Sequence, residues 1–154
     1  MAGIAQPTIP GTLVVEMDDV VAAETGGLPP SAIVNQPNSF TLSTRFVLKD
    51  VFAPAFTGQV FAVQHHVERQ EDGLRLRLPN TVTVTAGPAV NGEIVMPYTS
   101  SVFTTGPTGS GANLEIAPGE TEGNFRILTQ LVAQNPGVRG IVSAFYDGQL
   151  LSVI

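Results

Sequence analysis

Two adjacent histidines, His65 and His66, are the residues of this chain best suited to acid-base or metal chemistry, and they are its only histidines. Imidazole titrates close to neutrality and ligates metals. They lie in a run of alternating character, in which Phe61, Val63, His65 and Val67 fall on one parity and Gln64, His66 and Glu68 on the other. Adjacent residues on a strand face opposite sides of the sheet, so the two rings cannot readily share one ion. His65 is therefore expected as a core or inter-sheet histidine with its nitrogens satisfied by neighbours. His66 is expected as a solvated surface residue that, with Glu68, offers at most a weak zinc site.

The acidic residues Glu16, Asp18, Asp19 and Glu24 could supply oxygen ligands to a hard cation such as calcium. No D-x-[DN]-x-[DN]-G loop accompanies them, and Glu16 and Asp18 alternate with an inward Met17. A solvated strand edge is the expectation, and the same holds for Glu115, Glu120 and Glu122 around a turn. Gly106 to Gly111 has the glycine spacing of a phosphate loop, but Ala112-Asn113 stands where Lys-Ser/Thr is required and no helical pattern follows. Ser110 has no G-x-S-x-G context to activate it as a nucleophile. Tyr98 and Tyr146 are the only tyrosines available as sugar-stacking faces, and Tyr146 precedes Asp147-Gly148, a turn dipeptide that would put the ring at a loop tip or over the core edge. Carboxylate pairs for glycoside hydrolysis can meet from distant strands, so spacing does not decide them, and nothing in the sequence supports them. The sequence names no catalytic, cofactor-binding or metal-binding residue.

The composition points the same way. Of 154 residues, 13% are charged and 43% apolar, against about 25% charged in ordinary soluble domains. There is no cysteine, which excludes disulfide frameworks, thiolate metal sites and thiol nucleophiles. A mean hydropathy of +0.22 with a net charge of −6 argues for a folded chain rather than a disordered one. Seven basic residues against thirteen acidic ones, with the arginines scattered along the chain, argue against a nucleic-acid partner. The apolar stretches are too short to span a membrane as a helix. The N-terminus carries neither a basic start nor an apolar core, so cytoplasmic residence is the default expectation, with a virion or a non-classically exported surface as alternatives.

β-Branched residues and threonine dominate, and turn signals recur every ten residues or so, the habit of an all-β sandwich or barrel. The clearest strand runs Phe40 to Leu48, and a second runs Gln59 to Arg69. Asp72-Gly73 reads as a two-residue type I′ turn joining the second to Leu74–Leu78, which would pair Val67 with Leu78 and Glu68 with Arg77. Further strands are expected at 12–21, 81–85, 93–96, 101–105, 125–133, 140–146 and 150–154. The stretches 24–39 and 106–112 read as loops, and 1–11 as a loose N-terminal arm. No fixed-period repeat is present, so one domain over 1–154 is expected.

One segment carries a resemblance. Leu114-Glu115-Ile116-Ala117-Pro118-Gly119, then Gly123 and Phe125 leading into an alternating run to Leu131, is similar to the corner between strands E and F of immunoglobulin-like and fibronectin type III sandwiches. In those domains the aromatic is usually a tyrosine whose hydroxyl bonds back upstream; here it is Phe125. The resemblance implies a single antiparallel, two-sheet Greek-key β-sandwich, with 140–146 part of the last strand, and no activity.

Low charge and a single lysine, Lys49, leave strand edges with few guards. The expectation is a non-enzymatic structural or protein-interaction module without cofactor, a homo-oligomer or a subunit of a surface, virion or secretion-type assembly. Two alternatives stand beside it. One is a small ligand-binding or hydrolytic sandwich with its site in the end loops 24–39 and 106–112; the other is peptide recognition by strand addition.

Overall fold

The computed structural model describes residues 3–9, 13–26, 30–135 and 143–154. Thirteen strands and one 3-10 turn account for its secondary structure: β1 (Gly3–Ile9), β2 (Leu13–Met17), β3 (Val21–Glu24), β4 (Ile33–Val34), β5 (Ser39–Lys49), the 3-10 turn Ala53–Phe56, β6 (Val60–Arg69), β7 (Arg75–Arg77), β8 (Val82–Thr85), β9 (Ile94–Thr99), β10 (Phe103–Gly106), β11 (Leu114–Glu115), β12 (Gly123–Ala133) and β13 (Ser143–Val153). They form two sheets. The first centres on β5, flanked on one side by β2 and β3 and on the other by β9 and β10, with β1 and β11 outermost. The second runs β4-β13-β12-β6, with β7 and β8 both along the far side of β6.

Period-two patterning builds the sandwich. Phe40, Leu42, Phe46 and Leu48 of β5 face Phe61, Val63 and Val67 of β6 and Phe125, Ile127 and Leu131 of β12, all buried. The rings of Phe40 and Phe103 meet at 5.7 Å. Two strands in succession line each side of β5. The run expected as one strand over 12–21 divides at Asp18-Asp19-Val20, and β9 passes to β10 through Ser100, whose hydroxyl accepts the Leu42 amide at 2.8 Å. A side-chain oxygen thus continues the ladder across the break.

Several expectations are corrected. Residues 3–9, expected in a loose arm, run antiparallel to β2 as β1. The hairpin register is shifted by two: Val67 opposes Leu76 and Glu68 opposes Arg75. The reason is the turn, which spans four residues instead of two, with the Arg69 amide bonded to the Leu74 carbonyl at 2.8 Å and Gly73 at φ +74°. A shift of two keeps every side chain on its face, so the inward and outward sets survive. The expected separate strands 140–146 and 150–154 are one strand, β13, as far as 143 onward; positions 140–142 lie outside the described residues. Asp147-Gly148 is a bulge, because Leu128 opposes Asp147 while Ile127 opposes Gln149. The stretch 24–39 contains the short β4, parallel to β13.

At the corner before β12, Phe125 is wholly buried. A Cβ at Gly123 would lie 3.0 Å from both the Ile116 and Phe125 side chains, so a residue without a side chain lets the chain turn against its own aromatic.

Candidate functional site

His65 lies where β6 faces the first sheet, 3% exposed. Its Nδ1 is 2.8 Å from the Thr129 hydroxyl of β12, and its Nε2 is 2.7 Å from the Tyr98 hydroxyl of β9. A hydroxyl can donate or accept, so either imidazole tautomer is satisfied. Burial, reinforced by the neighbouring His66, pushes the His65 pKa down to about 4, and burial raises the Tyr98 phenol well above its ordinary value. Thr129, His65 and Tyr98 thus form a neutral polar seam joining the two sheets, edged by the rings of Phe103 and Phe46. Both ring nitrogens are committed. Tyr98, weighed as an exposed sugar platform, is instead the buried partner of this histidine.

His66 opens on the other side of the sheet, onto a cleft of about 470 Å³ with Glu68, Arg75, Leu76, Arg126 and Leu128. Register explains the gathering: Arg75, Glu68 and Arg126 stand in one row across β7, β6 and β12, and Arg77, His66 and Leu128 in the next. Three of the chain's six arginines therefore share one face. Sequence reading, which saw them scattered, could not find this because the neighbours come from three strands. Glu68 accepts from Arg75 Nε at 2.9 Å, so the carboxylate of the suggested His66–Glu68 zinc pair already serves a guanidinium. No group of three or more His, Asp or Glu side chains suited to a metal occurs among the described residues. A cross-strand charge ladder of this kind sets register and hydration, and its arginines could also receive a carboxylate from outside.

The acidic run is dispersed, each carboxylate with partners of its own. Glu16 pairs with Lys49 at 2.7 Å and Asp18 with Arg45 at 2.9 Å. Asp19 accepts from the Tyr146 hydroxyl, and burial, with the negative charge of Asp19 beside it, raises that phenol. Tyr146 is half-buried against the core in mid-β13, and not at a loop tip. Glu24 is a loop staple: its carboxylate accepts the Asn35 amide at 2.6 Å and the Asn38 side chain at 2.9 Å, and these bonds hold its pKa below the usual carboxylate range. Carboxylates committed to separate cations and amides do not converge as a calcium cage would require.

The glycine-rich loop is likewise tied to its own chain. Glu115 accepts the Gly109 amide at 2.7 Å, Thr108 donates to the Ile116 carbonyl, and the Asn113 side-chain oxygen accepts the Thr104 amide at 2.8 Å. A carboxylate of the protein occupies the amide that a phosphate would want. Beside this loop, buried Arg69 reaches Asp72 through two bonds of 2.9 and 2.6 Å and the Glu115 carbonyl through a third of 2.9 Å. The guanidinium fork holds Asp72 down to about 2. Arg69 thereby sets the four-residue turn and ties it to the first sheet. Replacing it (Arg69→Met) removes three charge-assisted bonds while leaving Asp72 in solvent, and is expected to cost about 2 kcal/mol. A thermal melt of the variant at neutral pH checks this; an unchanged melting temperature would show that the fork is idle.

The described parts of 24–39 and the loop 106–112 lie at the same end of the sandwich, where Thr105 of β10 donates to the Asn38 carbonyl at 2.8 Å. A smaller cleft of about 250 Å³ lies on the flank, where Pro30–Ala32 face Asp19, Tyr146 and Gln149. No family model matches the chain, and no curated protein is similar to it.

Proposed function

We propose that this chain is a non-enzymatic, protein-interacting β-sandwich of immunoglobulin-like type that serves as a subunit of an oligomer or a larger assembly. The type is supported by strand order: β5 lies between β2/β3 and β9/β10, and β13, β12, β6 and β7/β8 make the facing sheet, with the Pro118–Phe125 corner leading into β12. The assembly reading rests on one contrast. Groups with chemical potential are committed to partners within the chain, His65 to Thr129 and Tyr98, Glu24 to Asn35 and Asn38, Glu115 to Gly109. Large apolar side chains remain outside, including Val95, Phe52, Val51 at 74% exposure and Val90 at 70%.

On the outward face of the first sheet, Glu16, Lys49, Asp18 and Arg45 neutralise each other in pairs, leaving Val21, Ser43, Thr99 and Val95 as an uncharged surface. Apolar and neutral surface of this kind suits contact with protein. Light scattering on the full chain is expected to give a mass above that of one 16.1 kDa chain as concentration rises. A strictly monomeric mass up to the solubility limit would overturn self-assembly.

A further inference from the structure

The second sheet ends at β8, which pairs with β6 through Val60–Thr85, Phe61–Val84, Ala62–Thr83 and Val63–Val82 and with no other strand among the described residues. Ala86, just beyond it, bonds toward the β6 side, donating to the Gln59 carbonyl and accepting from the Gly58 amide. Backbone groups alternate in direction along a strand, so Val84 and Val82 also bond toward β6 while Thr85, Thr83 and Thr81 aim theirs at the open edge. The three threonines are exposed, and Val82 and Val84 are half-buried at the margin of the core.

This edge carries no charged guard, and the two prolines near it, Pro79 and Pro88, stand outside the strand. From Leu78 to Gly92 no residue is charged, and β8 together with the residue before it reads Thr81-Val82-Thr83-Val84-Thr85. Exposed edges are commonly protected by lysine, an inward charge or proline. This five-residue segment reads identically in both directions. In an antiparallel pair across a two-fold axis through Thr83, Thr83 meets its own copy, Val82 meets Val84 and Thr81 meets Thr85. Every cross-strand pair then joins like with like, Thr–Thr outside and Val–Val over the core, both favourable combinations. Outward-aimed amides at Thr83 make the axis pass through a hydrogen-bonded pair, as such a ladder requires.

We propose that β8 pairs antiparallel with β8 of a second copy of this chain, fusing two six-stranded sheets across a two-fold axis at Thr83. The occupant is a second copy because an isologous contact needs a self-complementary surface, and this strand is one. The inference rests on the assembly reading above and gives it a contact. β9 of the first sheet runs near the same corner unpaired with β8, so the rival arrangement is β8 curled onto its own chain.

The test uses two variants of the full chain. Thr83→Lys sets like charges face to face at the axis and is expected to return the protein to the monomer mass with little change in melting temperature. Thr83→Cys places a single thiol in a chain without cysteine, opposite its own copy at a Cα separation of about 5.5 Å in a hydrogen-bonded pair, within disulfide reach. Mild oxidation is expected to give a covalent dimer, while Thr104→Cys on the other sheet stays uncrosslinked. If wild type assembles, but Thr83→Lys assembles equally and Thr83→Cys does not crosslink, the β8 contact is overturned and the assembly reading stands. If wild type is monomeric and Thr83→Cys stays uncrosslinked, both fall.

Discussion

Acidification from pH 7 to pH 4 is expected to remove about 3 kcal/mol of folding stability through His65 alone. Its folded pKa of about 4 lies below the 6.5 of a free imidazole, so between those values the unfolded chain binds a proton that the folded chain refuses. Stability is therefore complete above pH 6.5 and falls as the pH drops toward 4. The cause is physical: protonating His65 would place a charge at 3% exposure between two hydroxyls and the rings of Tyr98 and Phe103. Melting temperature should drop by roughly 6–12 °C over that range for a chain of this size. His65→Gln, less stable at neutral pH, should lose this part of the slope. The Arg69–Asp72 fork gives a second, separable acid transition, because Asp72, held at about 2 against 3.8, loses its contribution only as the pH falls through that lower window. A wild-type melting temperature that stays flat between pH 6.5 and pH 4 would contradict the buried, neutral seam.

Truncating Phe125 to alanine is expected to cost about 3–5 kcal/mol, as other buried phenylalanines do. That is a large share of the 5–15 kcal/mol that typically holds a domain together. Phe125 is fully buried at the first inward position of β12 that both β6 and β13 flank, and it packs beside Gly123 and the corner that brings the chain across from the first sheet. Phe125→Leu keeps most of the volume and should cost visibly less. Urea unfolding of the two variants against wild type, compared at constant slope, measures the difference; equal losses would mean that the corner tolerates a cavity and that Phe125 is not the anchor described.

The face of β6 is legible because period two with one buried side marks it: Phe61, Val63, His65 and Val67 share one parity and all are buried. Turn chemistry misled twice, each time at an Asp-Gly dipeptide. At Asp72-Gly73 the turn is set by Arg69, which grips Asp72 and the distant Glu115 carbonyl. At Asp147-Gly148 pairing along the whole of β12 carried the strand through as a bulge. Two-residue strands such as β4 and β11 have no period to detect. The arginine face and the separate partners of Glu16, Asp18, Asp19 and Glu24 depend on the register between strands distant in sequence, which no local pattern contains.

Sedimentation equilibrium of the full chain from micromolar to near-millimolar concentration tests the assembly claim most directly. The mass is expected to rise from one chain to twice that value along a reversible dimer isotherm. A single-chain mass at every concentration would contradict it.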